Sequence, residues 1–164
     1  MTALPTTVSL CVSMKLLMTF VSTGALAAST DVNILWRLLA PADLALMVGN
    51  ACLAQDSSFL TRTTGRHGDF RVYAQEVKDK VSEGLSEEDL LLVLRRAADA
   101  AKAEALSEVR NLNSSDPETE AKNTKVWCET LATEIIKEFI VTQDQDHEGF
   151  KKLLSAAKSP SPDK

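Results

Sequence analysis

Apolar residues recur every three or four positions from Phe70 to Ala157, and no stretch of that region alternates apolar and polar residues; a chain patterned this way folds into helices rather than sheets. Phe70, Tyr73, Ala74, Val77 and Val81 form the first stripe, which Gly84 ends as a left-handed stop. Ser86 and Asp89 then make an S-x-x-D capping pair, with Glu87 and Glu88 placed at the positive end of the helix that follows. That helix carries Leu90, Leu91, Leu94, Ala97, Ala98, Ala101, Ala105, Val109 and Leu112, and its alanine-rich middle is both helix-prone and small enough for a neighbour to come close.

Asn111 to Ser115 interrupts the pattern, and Asp116-Pro117 restarts it as an N-cap followed by proline at the first helical position. The third stripe runs without a break through Trp127, Cys128, Leu131, Ala132, Ile135, Ile136, Phe139 and Ile140, wide enough for a central core element. A short amphipathic piece with Phe150, Leu153, Leu154 and Ala157 follows, and Ser159-Pro160-Ser161-Pro162 reads as a loose tail. The expected fold is therefore all-α: a small antiparallel bundle of about three long helices plus a short C-terminal helix, preceded by an apolar N-terminal leader.

The leader has two apolar stretches. Met14-Lys15, the run from Leu16 to Phe20 and Ala25-Leu26-Ala27-Ala28 follow the order of a secretory signal with an A-x-A site. The second stretch, Ile34 to Ala54, resembles a signal again, with Arg37 as its basic start and a small residue before Gln55; translation beginning near Val32 would account for it. Pro41 is expected to break a helix there, and together with Arg37 and Asp43 it argues against a membrane span, the alternative reading. The expected organisation is a signal peptide or membrane-anchor leader over 1–54, a linker over 55–68, a helical domain over 69–158 and a disordered tail over 159–164. The expected location is periplasmic or secreted, with a membrane-anchored alternative.

Charge and cysteine content narrow the function. A net charge of −5 leaves no whole-chain positive field for phosphates, so no nucleic-acid partner is expected, and a membrane only through an uncleaved leader. Of the three cysteines, Cys11 and Cys52 fall in the leader, so its removal would leave Cys128 alone, a buried thiol with no disulfide.

Asp144, Asp146 and Glu148, with Gly149 at position six, resemble the first half of an EF-hand loop; the resemblance implies weak Ca²⁺ binding, and it fails at position twelve, where Ser155 stands in place of a closing glutamate. His67 and His147 are the only histidines, and a Cys128–His147 dyad requires the fold to unite them. The acidic pairs Glu87/Glu88 and Glu118/Glu120 sit in first turns, where they serve helix dipoles. Asn113-Ser114-Ser115 is a glycosylation sequon, meaningful in a eukaryotic secretory route. Phosphate-loop, H-E-x-x-H and G-x-S-x-G motifs are absent, so no catalytic residue and no bound cofactor are expected.

Three functional expectations follow. The first is a non-enzymatic binding, adaptor or chaperone-like component of the cell envelope or a secretion system, with a protein partner or a second copy meeting a face built from Ala97, Ala101, Ala105, Trp127, Leu131 and Ile135. The second is a Ca²⁺-binding protein using the Asp144–Glu148 segment. The third is a small exported enzyme whose site is assembled from distant residues such as His67, Glu76 and His147.

Overall fold

The computed structural model describes residues 30–110 and 112–159 and is all-α, with bundle-like packing and seven helices among those residues. The signal-like segment up to Ala28, Cys11 and the tail beyond Ser159 lie outside the described residues. The helices are α1 (Val32–Gln55), α2 (Phe59–Arg62), α3 (Phe70–Ser82), α4 (Glu87–Val109), α5 (Pro117–Glu129), α6 (Leu131–Gln145) and α7 (His147–Lys158).

The bundle is built around α1, which packs most extensively on α4 and α3 and also touches α2, α5, α6 and α7. Leu35, Leu39, Ala42, Ala45 and Cys52 are fully buried in it, with Val48 2% exposed. The expected boundary at residue 54 is therefore corrected: it falls in the last turn of the helix on which the others pack. A core helix with neighbours on several sides is apolar over most of its length, so it approaches the composition of a leader or a span. Indeed α1 is long and apolar enough to cross a membrane by length and composition, the one such helix among the described residues.

Pro41 does not break α1, which continues through it. Proline inside a helix costs one hydrogen bond and some crowding, about 3 kcal/mol, and burial of the flanking turns offsets that cost. Asp31 starts the helix by accepting hydrogen bonds from the backbone N–H groups of Asn33 and Ile34.

The expected linker 55–68 is likewise structured. It carries α2, the fully buried Phe59 and the buried Thr63, whose hydroxyl donates to the Phe59 carbonyl at 2.8 Å. Phe59 meets Phe70 edge-on, with ring centroids 6.4 Å apart.

The starts of α4 and α5 follow the expected chemistry, and α3 starts in the same way on a cap not singled out in sequence. Asp69 accepts from Arg71 N–H, Ser86 from Asp89 N–H and Asp116 from Thr119 N–H, and Pro117 opens α5. Gly84 has φ +75°, the left-handed stop expected after α3. Ala97 and Ala101 are buried, and the helix that takes advantage of their small size is α1 of the same chain.

The third expected helix is two. It breaks at Thr130, whose φ of −114° and ψ of −92° are not helical. The Thr130 hydroxyl donates to the Val126 carbonyl at 2.8 Å, and the Thr133 hydroxyl donates to the Cys128 carbonyl at 2.7 Å, so side chains satisfy acceptors near the break. The apolar stripe continues across the break because both halves face the same core.

Cys52 and Cys128 form a disulfide across 76 residues of sequence, joining the last turn of α1 to the end of α5. This corrects the expectation of a lone Cys128 thiol, which rested on removing Cys52 with the leader. Cys52 is instead part of the core helix.

Candidate functional site

A cavity of about 410 Å³ opens between α1, α6 and α7, with Glu104 of α4 at its edge. Each wall is one helical face. Leu38, Pro41 and Leu44 come from α1; Ile135, Phe139 and Thr142 from α6; and Phe150 and Leu153 from α7, at spacings of three and four that align side chains. Phe139 and Phe150 are 6% and 8% exposed, whereas Leu153 is 50% exposed at the mouth.

The antiparallel run of α1 and α7 holds two of these walls in place. It is closed at one end by the Asp31 backbone N–H donating to the Ala157 carbonyl at 2.8 Å. At the same end of α7, the Lys158 ammonium donates to the carbonyls of Lys80, at 2.7 Å, and of Glu83, occupying the C-terminal end of α3. Burial lowers the pKa of Lys158, with the nearby Glu83 charge opposing that effect.

Pro41 has no N–H to offer the Arg37 carbonyl one turn back, and both residues line the cavity. Around the apolar floor stand the carboxylates of Glu104, Glu138 and Asp146 and the guanidinium of Arg37. Arg37 lies against the ring of its neighbour Trp36, 5.4 Å from the centroid. Among the described residues, none of the three carboxylates has a cation within ion-pair distance.

A second, polar cleft of about 330 Å³ is lined by His67, Tyr73, Glu76, Lys80, Gln143, Asp144 and His147. The distant trio His67, Glu76 and His147 is thus brought to one place. The Tyr73 hydroxyl donates to Asp144 Oδ1 at 2.9 Å and accepts from the His67 backbone N–H at 3.0 Å. The His67 Nε2 lies 3.8 Å from the same carboxylate oxygen. Gly65 makes this possible, because a Cβ there would press on Ile140 and the Tyr73 hydroxyl. Burial raises the Tyr73 pKa, and the Asp144 carboxylate acts in the same direction, so the phenol stays a proton donor at neutral pH.

The Asp144–Glu148 segment does not take the loop form of an EF-hand. Helix α6 runs to Gln145 and α7 starts at His147, leaving only Asp146 between them. Asp144 accepts from Tyr73, while Glu148 lies 3.4 Å from the Lys151 ammonium. Gly149 is helical, and its lack of a Cβ admits the Asp146 carboxylate, a role different from the sharp turn of an EF-hand. Among the described residues no group of three His, Cys, Asp or Glu side chains is arranged to hold a metal ion. The Cys128–His147 dyad is also excluded, because the Cys128 sulfur is bonded to Cys52.

The expected interaction face divides in the structure. Ala97, Ala101 and Trp127 are buried, Ala105 and Ile135 are half-buried, and Leu131 is 38% exposed. Only Ile135 reaches the cavity. The Trp127 indole N–H is buried without a partner among the described residues.

Arg37, Pro41, Glu104 and Glu138 were not visible as site residues in sequence, since each looks like an ordinary leader or surface residue. The spacing Leu38-Pro41-Leu44 is the signal that could have marked the wall. Compared with known proteins, the chain matches no family model, no curated protein and no solved structure.

Proposed function

We propose that the chain is an exported, disulfide-stapled helical binding protein that receives an apolar group of a partner in the cavity between α1, α6 and α7. The observation that carries this reading is that cavity, an apolar recess edged by a few polar groups, the usual make-up of a binding site. The Cys52–Cys128 bond supports export, because disulfides persist in oxidising compartments. Processing near Ala28 would leave the described helices whole, whereas cleavage before Asp56 would remove α1.

Two measurements test the proposal. Intact mass of the protein from the exported fraction of its host should give a mature start between Ala28 and Asp31; a start at Asp56, or an all-cytoplasmic reduced chain, overturns export. The neutral dye N-phenyl-1-naphthylamine should brighten on the folded protein and lose binding in Leu153→Asp, a change at a half-exposed site. No brightening overturns the cavity as a binding site.

A second reading is favoured by one observation, the gathering of His67, Glu76 and His147 beside the Tyr73–Asp144 hydrogen bond. It would be a small acid–base enzyme acting on a polar substrate. Turnover lost in both His67→Gln and Tyr73→Phe would support it, and unchanged turnover would remove it.

A further inference from the structure

Resting on the cavity as the binding site, we infer that its occupant is a basic amphipathic helix of a partner protein. The apolar floor follows Leu38 to Leu44 along α1 and Ile135 to Thr142 along α6, each about two helical turns or ~10 Å. That length matches apolar side chains at i, i+3 or i+4, and i+7 of a docked helix.

The rim supplies the sign of the charge. Glu104, Glu138 and Asp146 come from α4, from α6 and from the α6–α7 break, and they surround the floor without a cation of their own among the described residues. Among the described residues that line the cavity, the only opposing charge is Arg37, which is turned against Trp36. Lysines or arginines flanking the apolar stripe of the docked helix would pair with these carboxylates, while an acidic helix would meet repulsion.

The test uses the full, oxidised chain and three fluorescein-labelled peptides of roughly 14 residues, about four turns, sharing one leucine stripe and differing in polar residue: lysine, glutamine or glutamate. The lysine peptide should bind about tenfold tighter than the glutamine peptide, and the glutamate peptide weakest. Glu104→Gln/Glu138→Gln should abolish the preference for lysine, while Glu87→Gln/Glu88→Gln, which removes the same charge elsewhere, should keep it.

Equal binding of lysine and glutamine peptides overturns the basic partner but leaves the apolar cavity standing. Equal weakening by both double variants reduces the effect to whole-chain charge and also overturns the inference. Binding of none of the three, together with no dye binding, removes both the inference and the reading beneath it. Self-association blocked by Leu153→Asp would identify a second copy as the occupant and overturn it too.

Discussion

The ring of Phe70 occupies the space in which any other residue at position 49 would place its Cβ, so the first residue of α3 is seated directly on the backbone of α1. The pair fixes where two core helices cross. Gly49→Ala forces the ring or the helix to shift, and overpacking of this kind costs about 1–3 kcal/mol. Thermal unfolding should show the loss, and Gly49→Ala combined with Phe70→Leu should recover part of it. A Gly49→Ala protein as stable as the parent would refute this account of the crossing.

The Cys52–Cys128 bond closes a long loop, with 76 residues of sequence separation. The chain-entropy model assigns such a closure about 4.5 kcal/mol. Cys52→Ser/Cys128→Ser, or the reduced parent, should therefore unfold at clearly lower urea than the oxidised chain. A free-thiol assay on the native protein, before and after reduction, checks that the bond is present.

Tyr73 is the only tyrosine, so phenol ionisation can be followed by absorbance without overlap. Burial and Asp144 raise its folded pKa above the unfolded value. The stabilisation is full below about pH 10 and is lost as pH rises through the folded value. Tyrosinate absorbance should appear later in the native protein than after denaturation. Asp144→Asn should bring it earlier, and Tyr73→Phe should cost about 1 kcal/mol.

At the acid side, hydrogen bonds from the Arg71 side chain are the largest effect lowering the Asp69 pKa, with its backbone N–H adding to them. Such a carboxylate stabilises the fold above its unfolded pKa and loses that contribution as pH falls through the lower folded value. Stability should decline below about pH 4, and Asp69→Asn should flatten the decline. Asp56, held down chiefly by Ser58, and Asp116, held down chiefly by Thr119, add to the same slope. Urea midpoints measured across that range for parent and Asp69→Asn decide the point.

What could be read from sequence was local. Ser86 with Asp89, Asp116 with Pro117 and Gly84 mark helix ends through bonds made within a few residues, and the structure places those ends accordingly. What could not be read was tertiary. Nothing near Leu35 or Val48 says that protein rather than lipid or a signal peptidase will meet it. Thr130 resembles any helical threonine until α6 has to turn back onto α1. Likewise His67, Glu76 and His147 reach one cleft only because Tyr73 and Gly65 let the segment before α3 fold against α6.

The central position of α1 also sets an order of events. The described fold meets α1 first during synthesis, yet the helices that bury it follow, and the contact that closes its beginning waits for Ala157 near the other end. Until α7 exists, this apolar helix has no complete home, so the newborn chain must be kept from aggregating or from other apolar surfaces. Native burial of α1 is therefore an event that follows synthesis of the whole fold.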